Sequence, residues 1–276
     1  MDMAKAKSVI IALLFAFNLF LLFSILTYFK GQGIQIETIK NAEAILKARG
    51  VTLECSIPRT SKAVRRLEFG NGRLDREAIA AKLLGGAYAA ADEAAVFEDA
   101  GKKLEFRSGT EFVFIDDKAD SEIMADSDGE VKKAAREYLK DKGLINGKYV
   151  VDDLKRSKDG SVAVTFVESY DGFLVFDNYC IVTVTAGGIT RLEYGRLQIT
   201  GFSAGKVEDP ATAYQVLLAH FKEGGGQVIT SIDNGYKYPE DYPMEAMESV
   251  ELLPVWRVKI KGASAPEYLG TIDTEE

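Results

Sequence analysis

The sequence predicts an α+β fold in which an N-terminal transmembrane helix precedes tandem modules, each a helix packed on an antiparallel sheet. Two observations lead to this prediction. Residues 8–29 carry no charge and are rich in Leu, Ile and Phe. After residue 30, segments with helical apolar periodicity alternate with runs of alternating apolar and polar residues separated by Gly-containing turns.

The uncharged segment is long enough to cross a membrane. At about 1.5 Å per helical residue, 8–29 spans roughly the 30 Å of a bilayer's hydrocarbon core. Lys5 and Lys7 precede it, which predicts a cytoplasmic tail at 1–7 and an extracytoplasmic domain at 30–276. A signal peptide is the alternative, but bulky residues at 26–30 replace the small-x-small cleavage site. We therefore expect an uncleaved, single-pass protein of the plasma membrane.

Composition limits the function classes. The net charge is −8, which argues against nucleic-acid binding through bulk electrostatics, although Lys62, Arg65 and Arg66 form a local basic patch. Cys55 and Cys180 are both predicted outside, where they either form a disulfide or remain two buried thiols. Both alternatives stay open at this stage.

The first module is predicted over residues 30–125. Its first helix has an apolar stripe and is followed by Gly50, and its second helix is capped by Asp75. The predicted helices span 35–49 and 75–84, and the predicted strands span 51–57, 63–69, 95–99, 103–107 and 112–116.

The second and third modules repeat the pattern over 126–205 and 206–276. Asp209 and Pro210 are typical of a helix start, and Trp256 is expected in a core strand between Val255 and Val258. The predicted helices span 128–142 and 209–222, and the predicted strands span 149–155, 161–170, 173–185, 189–199, 228–236, 250–261 and 268–272.

A hydrolase motif is present but lacks its context. Residues 201–205 match the G-x-S-x-G pattern around Ser203, which requires a helix directly after the serine and an acid before the catalytic histidine. His220, the only histidine, lies on the apolar stripe of the next predicted helix. We therefore interpret the glycines as a connector and His220 as a partly buried structural residue.

An acidic stretch at 116–130 resembles a calcium loop only in composition. Aligning Gly129 with the invariant loop glycine places Met124 and Ala135 at ligand positions. Ser127 and Glu130 instead fit a capping box. Two cysteines and one histidine are too few for an obvious zinc site, so we expect no catalytic residue, no metal and no cofactor.

The anchor carries the best lead that its residues provide. Ser8, Ala12 and Ala16 are spaced by four, a pattern that lets membrane helices approach closely. Asn18 lies on the opposite side, where its amide either bonds a neighbouring helix or bonds its own backbone. The first reading predicts partner contacts on both sides of the anchor.

Several motifs resemble the YycH/YycI family, and its YycI-like members in particular. The opening 1–7 followed by 18–22 (NLFLL) resembles the start of the family, with Met3 where its members usually have Trp. Residues 170–178 (YDGFLVFDN), with Asp177 and Asn178, and residues 253–258 (LPVWRV), with Trp256, resemble its body.

This resemblance implies PepSY-like modules and no catalytic residues. It also implies an accessory regulator of the WalK (YycG) sensor histidine kinase of Gram-positive bacteria, with a YycH-like partner. The expected assembly is a homo- or hetero-dimer in the membrane that acts through transmembrane helices. The alternative is a tethered extracellular module that binds a peptide or a cell-wall polymer, and a cell-wall hydrolase using Ser203 is the enzymatic rival.

Overall fold

The computed structural model describes residues 11, 13–22, 34–59, 64–85, 89–90, 95–119, 127–205, 209–239 and 249–270. Residues 13–22 are helical. Helices α1–α4 span Ile36–Ala48, Arg76–Leu84, Asp128–Asp141 and Ala213–His220. Strands β1–β15 span Thr52–Leu53, Leu67–Gly70, Ala89–Ala90, Val96–Asp99, Lys102–Phe106, Glu111–Asp116, Tyr149–Arg156, Val162–Tyr170, Phe173–Thr185, Gly188–Gly195, Gln198–Phe202, Val228–Tyr236, Ser249–Leu252, Val255–Ile260 and Glu267–Leu269.

The first two of these helices form as the sequence predicts. In α1, Ile39, Ala42 and Leu46 recur at helical spacing and are buried. Gly50 follows with φ of +82°, a conformation that glycine adopts without steric cost. In α2, the backbone N–H of Ala78 donates to Asp75 Oδ1 at 3.0 Å, which satisfies one of the unpaired donors at the helix start.

The start of α4 differs from the prediction. The helix begins at Ala213 rather than at Pro210, and Thr212 is its N-cap. Thr212 and Gln215 form a capping box, in which the backbone N–H of Thr212 donates to Gln215 Oε1 at 2.8 Å. This reciprocal pair satisfies two backbone donors, whereas Asp209 and Pro210 lie in the connection before the helix.

The predicted capping box at α3 is also wrong. Ser127 is the N-cap, but its side chain makes no capping hydrogen bond. Asp128, the first helical residue, instead pairs with Arg156 of β7 at 2.7 Å. A tertiary ion pair therefore takes the place of a local one at this helix start. Residues 120–126 of the acidic stretch lie outside the described residues.

The strands join into a continuous mixed sheet instead of separate antiparallel sheets. Twelve strands of the described part form one sheet, in the order β15-β14-β12-β9-β10-β6-β5-β4-β3, with β1 beside β12, β8 beside β9, and β7 beside β8. The β1/β12 and β12/β9 pairs are parallel. The α+β class is confirmed, but the predicted antiparallel modules share strands through β9.

Two predicted strands are each divided between the main sheet and a small sheet of order β11-β2-β13. The run at 189–199 divides after Gly195 into β10 and β11. The run at 250–261 divides at Leu253 and Pro254 into β13 and β14. Proline has no N–H for a ladder, so a break at Pro254 follows from its chemistry.

Apolar residues collect in two main cores, one for each layer of the molecule. The central layer comprises β4–β10 with α2 and α3, and the terminal layer comprises β1, β12, β14 and β15 with α1 and α4. A third cluster joins β2 to the start of β9 and the end of β12. Residues 34–57 therefore pack with the C-terminal elements, and β1 pairs with β12.

Strand β7 is an edge strand of the main sheet, and side chains bind three of its backbone groups. Arg136 Nη1 donates to the carbonyl of Tyr149 at 2.9 Å, and Lys259 Nζ lies 3.4 Å from the carbonyl of Asp152. The N–H of Leu154 donates to Asp153 Oδ1 at 2.9 Å. These contacts block part of the edge that another strand would need.

Candidate functional site

A bulge of three residues in β9 organises the candidate site. Tyr179 pairs with Val167 of β8, but the next residue of β8, Glu168, pairs with Val175. Three residues of β9, 176–178, are therefore left out of the ladder. A bulge bends a strand and redirects its side chains, and these three lie in the motif at 170–178 that carries the family resemblance.

Asn178 uses the bulge to make a strand-like pair with its side chain. It is fully buried, its Oδ1 accepts from the N–H of Leu197 at 2.6 Å, and its Nδ2 donates to the carbonyl of Leu197 at 3.2 Å. Nδ2 also donates to Glu168 Oε2 at 2.7 Å. Asn178 thereby fixes the connection between β10 and β11, where the chain leaves the main sheet.

Asp177 faces the other neighbour of β9, the end of β12. It accepts hydrogen bonds from Lys237 Nζ and from the N–H of Tyr238, the latter at 2.6 Å. The adjacent parallel ladder is only two residues long, and Gly235 permits it, because a Cβ there would lie 2.2 Å from the carbonyl oxygen of Leu174. Asp177 therefore strengthens a short junction between the two layers.

A buried ionic network forms the second connection between the layers. Arg257 of β14 is 4% exposed and donates from Nη1 to Asp152 at 3.0 Å and from Nη2 to Asp233 at 2.9 Å. Its guanidinium lies 4.5 Å above the ring of Phe176, a bulge residue. Lys259 Nζ lies 3.1 Å from Asp152 Oδ2.

The charges of the network keep the carboxyl group of Asp152 ionised. Burial alone would raise the pKa of Asp152, but the hydrogen bonds and charges of Arg257 and Lys259 outweigh burial and lower this pKa below its ordinary value. The carboxylates of Asp152 and Asp233 raise the pKa of Arg257, and they outweigh burial, which lowers it. Both groups are therefore charged at neutral pH, which suits a fixed connection between layers.

A groove lies between the layers, beside the network. In β8, Val164 and Phe166 face the central core while Thr165 and Val167 line the groove. In β14, the core residues Trp256 and Val258 alternate with groove residues 257 and 259 in the same way. The groove has a volume of about 510 Å³ and separates the two sheet faces that carry no helices.

The sequence-predicted body residues do not form one site. Asp177 and Asn178 are adjacent in the bulge but bind different neighbours. Trp256 is 4% exposed in the terminal core, where its Nε1–H donates to the carbonyl of Ala211 at 2.8 Å. It lies in a core strand, as expected, next to Arg257 on the opposite face of β14.

The predicted anchor residues are described only in part. Part of the anchor lies outside the described residues, namely 8–10, 12 and 23–29, which include Ser8 and Ala12. Ala16 and Asn18 are exposed on the helical stretch 13–22, and Asn18 Nδ2 donates to the carbonyl of Leu14 at 2.8 Å. Among the described residues, no helix combines the length and apolar character needed to cross a membrane.

The residues considered for catalysis each make other contacts. His220 is exposed at the end of α4 and pairs with Glu267 at 2.8 Å, so the expected partial burial is wrong. Ser203 is buried after β11, and its N–H donates to the carbonyl of Arg66. Cys55 and Cys180 are free thiols in different cores.

Sequence reasoning missed the charged residues that join the layers. Arg257 follows the predicted core residue Trp256 on a strand, so alternation could have indicated an opposite, polar face. Asp152 gave no such signal, because the bulge between Val151 and Asp153 breaks the alternation of β7. Its partner is also 105 residues away in the chain.

Comparison with known proteins identifies the family. The family model described as YycI protein matches residues 30–269 of this chain. YycH from Bacillus subtilis is similar in structure, with a TM-score of 0.54 and 15% sequence identity, and the alignment covers 76% of this chain and 53% of the YycH chain. The chain thus spans about half the length of that protein, and the likeness concerns the fold alone. A search of curated proteins found no match. Because the family match covers well over half of the chain, the protein belongs to the YycI family.

Proposed function

We propose that the protein is a membrane-anchored, non-enzymatic accessory regulator of a WalK (YycG)-type sensor histidine kinase. The match to the YycI family over 30–269 carries this proposal, because it covers nearly all of the predicted exterior domain. The structural similarity to YycH shows a shared fold, and the partner we propose is a protein of the YycH type. The predicted PepSY-like character of the modules remains part of this proposal.

The solvent-exposed helical stretch 13–22 supports action through membrane helices. Large apolar side chains along 13–22 are exposed in the structure, and exposed apolar surface of this kind marks a contact with lipid or protein. Asn18 bonds its own backbone through one N–H, but an amide has a second N–H and a carbonyl oxygen for a neighbouring helix. Both readings of Asn18 are therefore compatible with a helix–helix contact.

The packing of α1 suggests how the exterior domain would act on the anchor. α1 is the first described element after the predicted anchor, and it is part of the terminal layer. A partner that displaces this layer relative to the central layer would displace the chain entering the anchor. Regulation requires only a few kcal/mol of differential contact between two kinase states.

Exchange of the anchor tests the proposal. Replacing 8–29 with an unrelated membrane segment should alter the output of the partner kinase at equal protein abundance. Ala12→Ile and Asn18→Leu make the segment more apolar, so insertion should persist while close approach and the hydrogen bond, about 0.6–2 kcal/mol in membranes, are lost. If the exchanged anchor and the double variant regulate like wild type, the anchor is only a tether and this mechanism is wrong.

A further inference from the structure

A pocket distinct from the groove lies where the chain passes from the main sheet to the small sheet. It is lined by residues 72–74 between β2 and α2, by the end of β8, and by residues 196–199 between β10 and β11. Its volume of about 520 Å³ lies within the range of pockets that hold small ligands. The β9 bulge shapes this pocket, because Asn178 binds both Glu168 and Leu197 of its lining.

Glu168, at the end of β8, has an acceptor oxygen that the fold leaves open. The residue is 8% exposed, and its Oε2 accepts from Asn178 Nδ2 at 2.7 Å. Oε1 accepts no hydrogen bond from a described residue, yet this atom is not fully buried. Gly147 leaves space beside it, because a Cβ there would lie 2.7 Å from Oε1. A largely buried acid with an open acceptor calls for a donor.

Arg196 lines the same pocket and supplies the opposite charge. Burial would lower the pKa of Arg196, but Tyr194, Tyr149 and Glu168 raise this pKa above its ordinary value. Glu168 is therefore near enough for its charge to act on the guanidinium. In the part of the chain that the structure describes, the two groups nevertheless form no ion pair. An acid and a base that line one pocket without pairing leave room for a ligand that carries both charges.

The rest of the lining favours an apolar group on that ligand. Leu74, Leu197 and Ile199 provide aliphatic surface, and Tyr170 adds a ring that packs against Phe202 at a centroid distance of 5.4 Å. Arg73, the second cation of the lining, already interacts with another group. Arg196 is therefore the expected partner of the ligand's anionic group.

We propose that this pocket binds an α-amino acid with an apolar side chain, whose carboxylate accepts from Arg196 and whose ammonium donates to Glu168 Oε1. Other small ligands match the lining less well. Glu168 would repel a phosphate, Arg196 would repel a metal ion, and a neutral sugar would leave both charges without a counter-charge. The site goes beyond the proposed regulatory function and does not depend on it.

Calorimetric titration of the full-length protein in detergent tests this site. Leucine and phenylalanine are the probes, N-acetyl-leucine lacks the ammonium, and leucinamide lacks the carboxylate. We expect the two amino acids to bind, and the loss of either charge from leucine to weaken binding by about tenfold or more. Leucyl-leucine, whose two charges lie further apart, should also bind more weakly, which distinguishes a free amino acid from the end of a peptide.

Two variants should each cancel one of these preferences. Glu168→Gln keeps an acceptor for Asn178 but loses its charge, so leucine should bind it no better than N-acetyl-leucine does. Arg196→Met keeps an aliphatic chain, so leucine should bind it no better than leucinamide does. The matched control is Arg191→Met, on β10 and outside the pocket, which should keep both preferences. A merely structural role of Glu168 or Arg196 would not remove one preference and leave the other.

The proposal is overturned if neither amino acid binds at concentrations up to about 10 mM. It is also overturned if leucinamide, N-acetyl-leucine or leucyl-leucine binds the wild-type protein as tightly as leucine does. This comparison uses only wild-type protein, so it holds even if a variant fails to fold. Where circular dichroism shows both variants folded, unchanged preferences in either one contradict the assigned roles. None of these outcomes affects the anchor exchange, which measures kinase output.

Discussion

The two halves of β9 hold the molecule together in different ways. From Tyr179 to Thr185 the strand is regular, with Cys180, Val182 and Val184 buried at every second position between β8 and β10. From Phe173 to Asn178 it is bulged, and polar side chains make its main connections. The regular half, from Tyr179 to Thr185, is stabilised by burial of apolar side chains. The bulged half, from Phe173 to Asn178, depends on hydrogen bonds made by side chains.

The two halves of β9 therefore have different roles: one stabilises the central layer, and the other positions the terminal layer. Burial of apolar surface is non-directional and tolerates adjustment, so the regular half secures the central layer without fixing how the terminal layer sits on it. Hydrogen bonds and ion pairs are directional, and the bulged half sets the position of β12 and β14. Substitutions on each side should therefore differ in both size and readout.

The largest loss is expected at Trp256, a residue of the terminal core that is held by apolar packing. Trp256→Ala removes a side chain that is 4% exposed and leaves a cavity in the terminal core. The free energy of unfolding should fall by about 3–5 kcal/mol. Urea unfolding followed by circular dichroism would measure it, because Trp256 is the only tryptophan and its fluorescence is lost. An unchanged midpoint would mean that the terminal core does not depend on this packing.

The corresponding break on the polar side is Arg257→Met. It removes the buried partner that Asp152 and Asp233 share and leaves Asp152 only Lys259, at 3.1 Å; breaking a buried pair costs about 3–5 kcal/mol at most. The matched control is Lys261→Met, which removes an exposed pair with Glu54 and should cost less than about 1 kcal/mol. Equal urea midpoints for the two variants would show that the network contributes no more than a surface pair.

A smaller effect is expected at the bulge itself. Asn178→Ala leaves the N–H and the carbonyl of Leu197 without their side-chain partner, and we expect a combined loss of about 1–3 kcal/mol. Hydrogen exchange should also accelerate at Leu197 while amides in the regular half of β9 remain protected. Uniform acceleration along β9 would contradict the division into two halves. Asn71→Ala, at an exposed position, is the control.

The smallest effect concerns two helix starts in the central layer. Asp75→Ala removes the observed capping bond to Ala78 and should cost about 1 kcal/mol. Ser127→Ala should cost almost nothing, because Ser127 makes no capping bond with its side chain. Thermal unfolding of the two variants checks this difference. A larger loss at Ser127 than at Asp75 would favour the capping box that the sequence predicts.

Regular elements could be predicted from the sequence because they depend on local periodicity. The predicted bounds of α1, α2 and β4–β9 lie within about two residues of the structure. The parallel pairing of β12 with β9 could not be predicted, since it consists of two residue pairs and requires the bulge. The start of α4 was misplaced because Thr212 and Gln215 form a cap that outweighs the Asp-Pro signal.

The candidate site was predictable only in outline. The motif at 170–178 indicated Asp177 and Asn178 through resemblance, and the structure shows what each one contacts. The groove depends on contacts across the chain, such as Arg257 with Asp152, for which a single sequence has no local pattern.

The packing of α1 has a consequence for biosynthesis. Arg49, at the end of α1, donates to the carbonyl of Leu218 in α4, 169 residues later, and β1 pairs with β12. The apolar face of α1 is therefore translated early but has no native partner until almost the whole chain has emerged. Contacts of such long sequence separation slow folding and expose apolar surface in the meantime. Truncation from the C-terminus should consequently leave the apolar face of α1 exposed and the nascent chain dependent on chaperones.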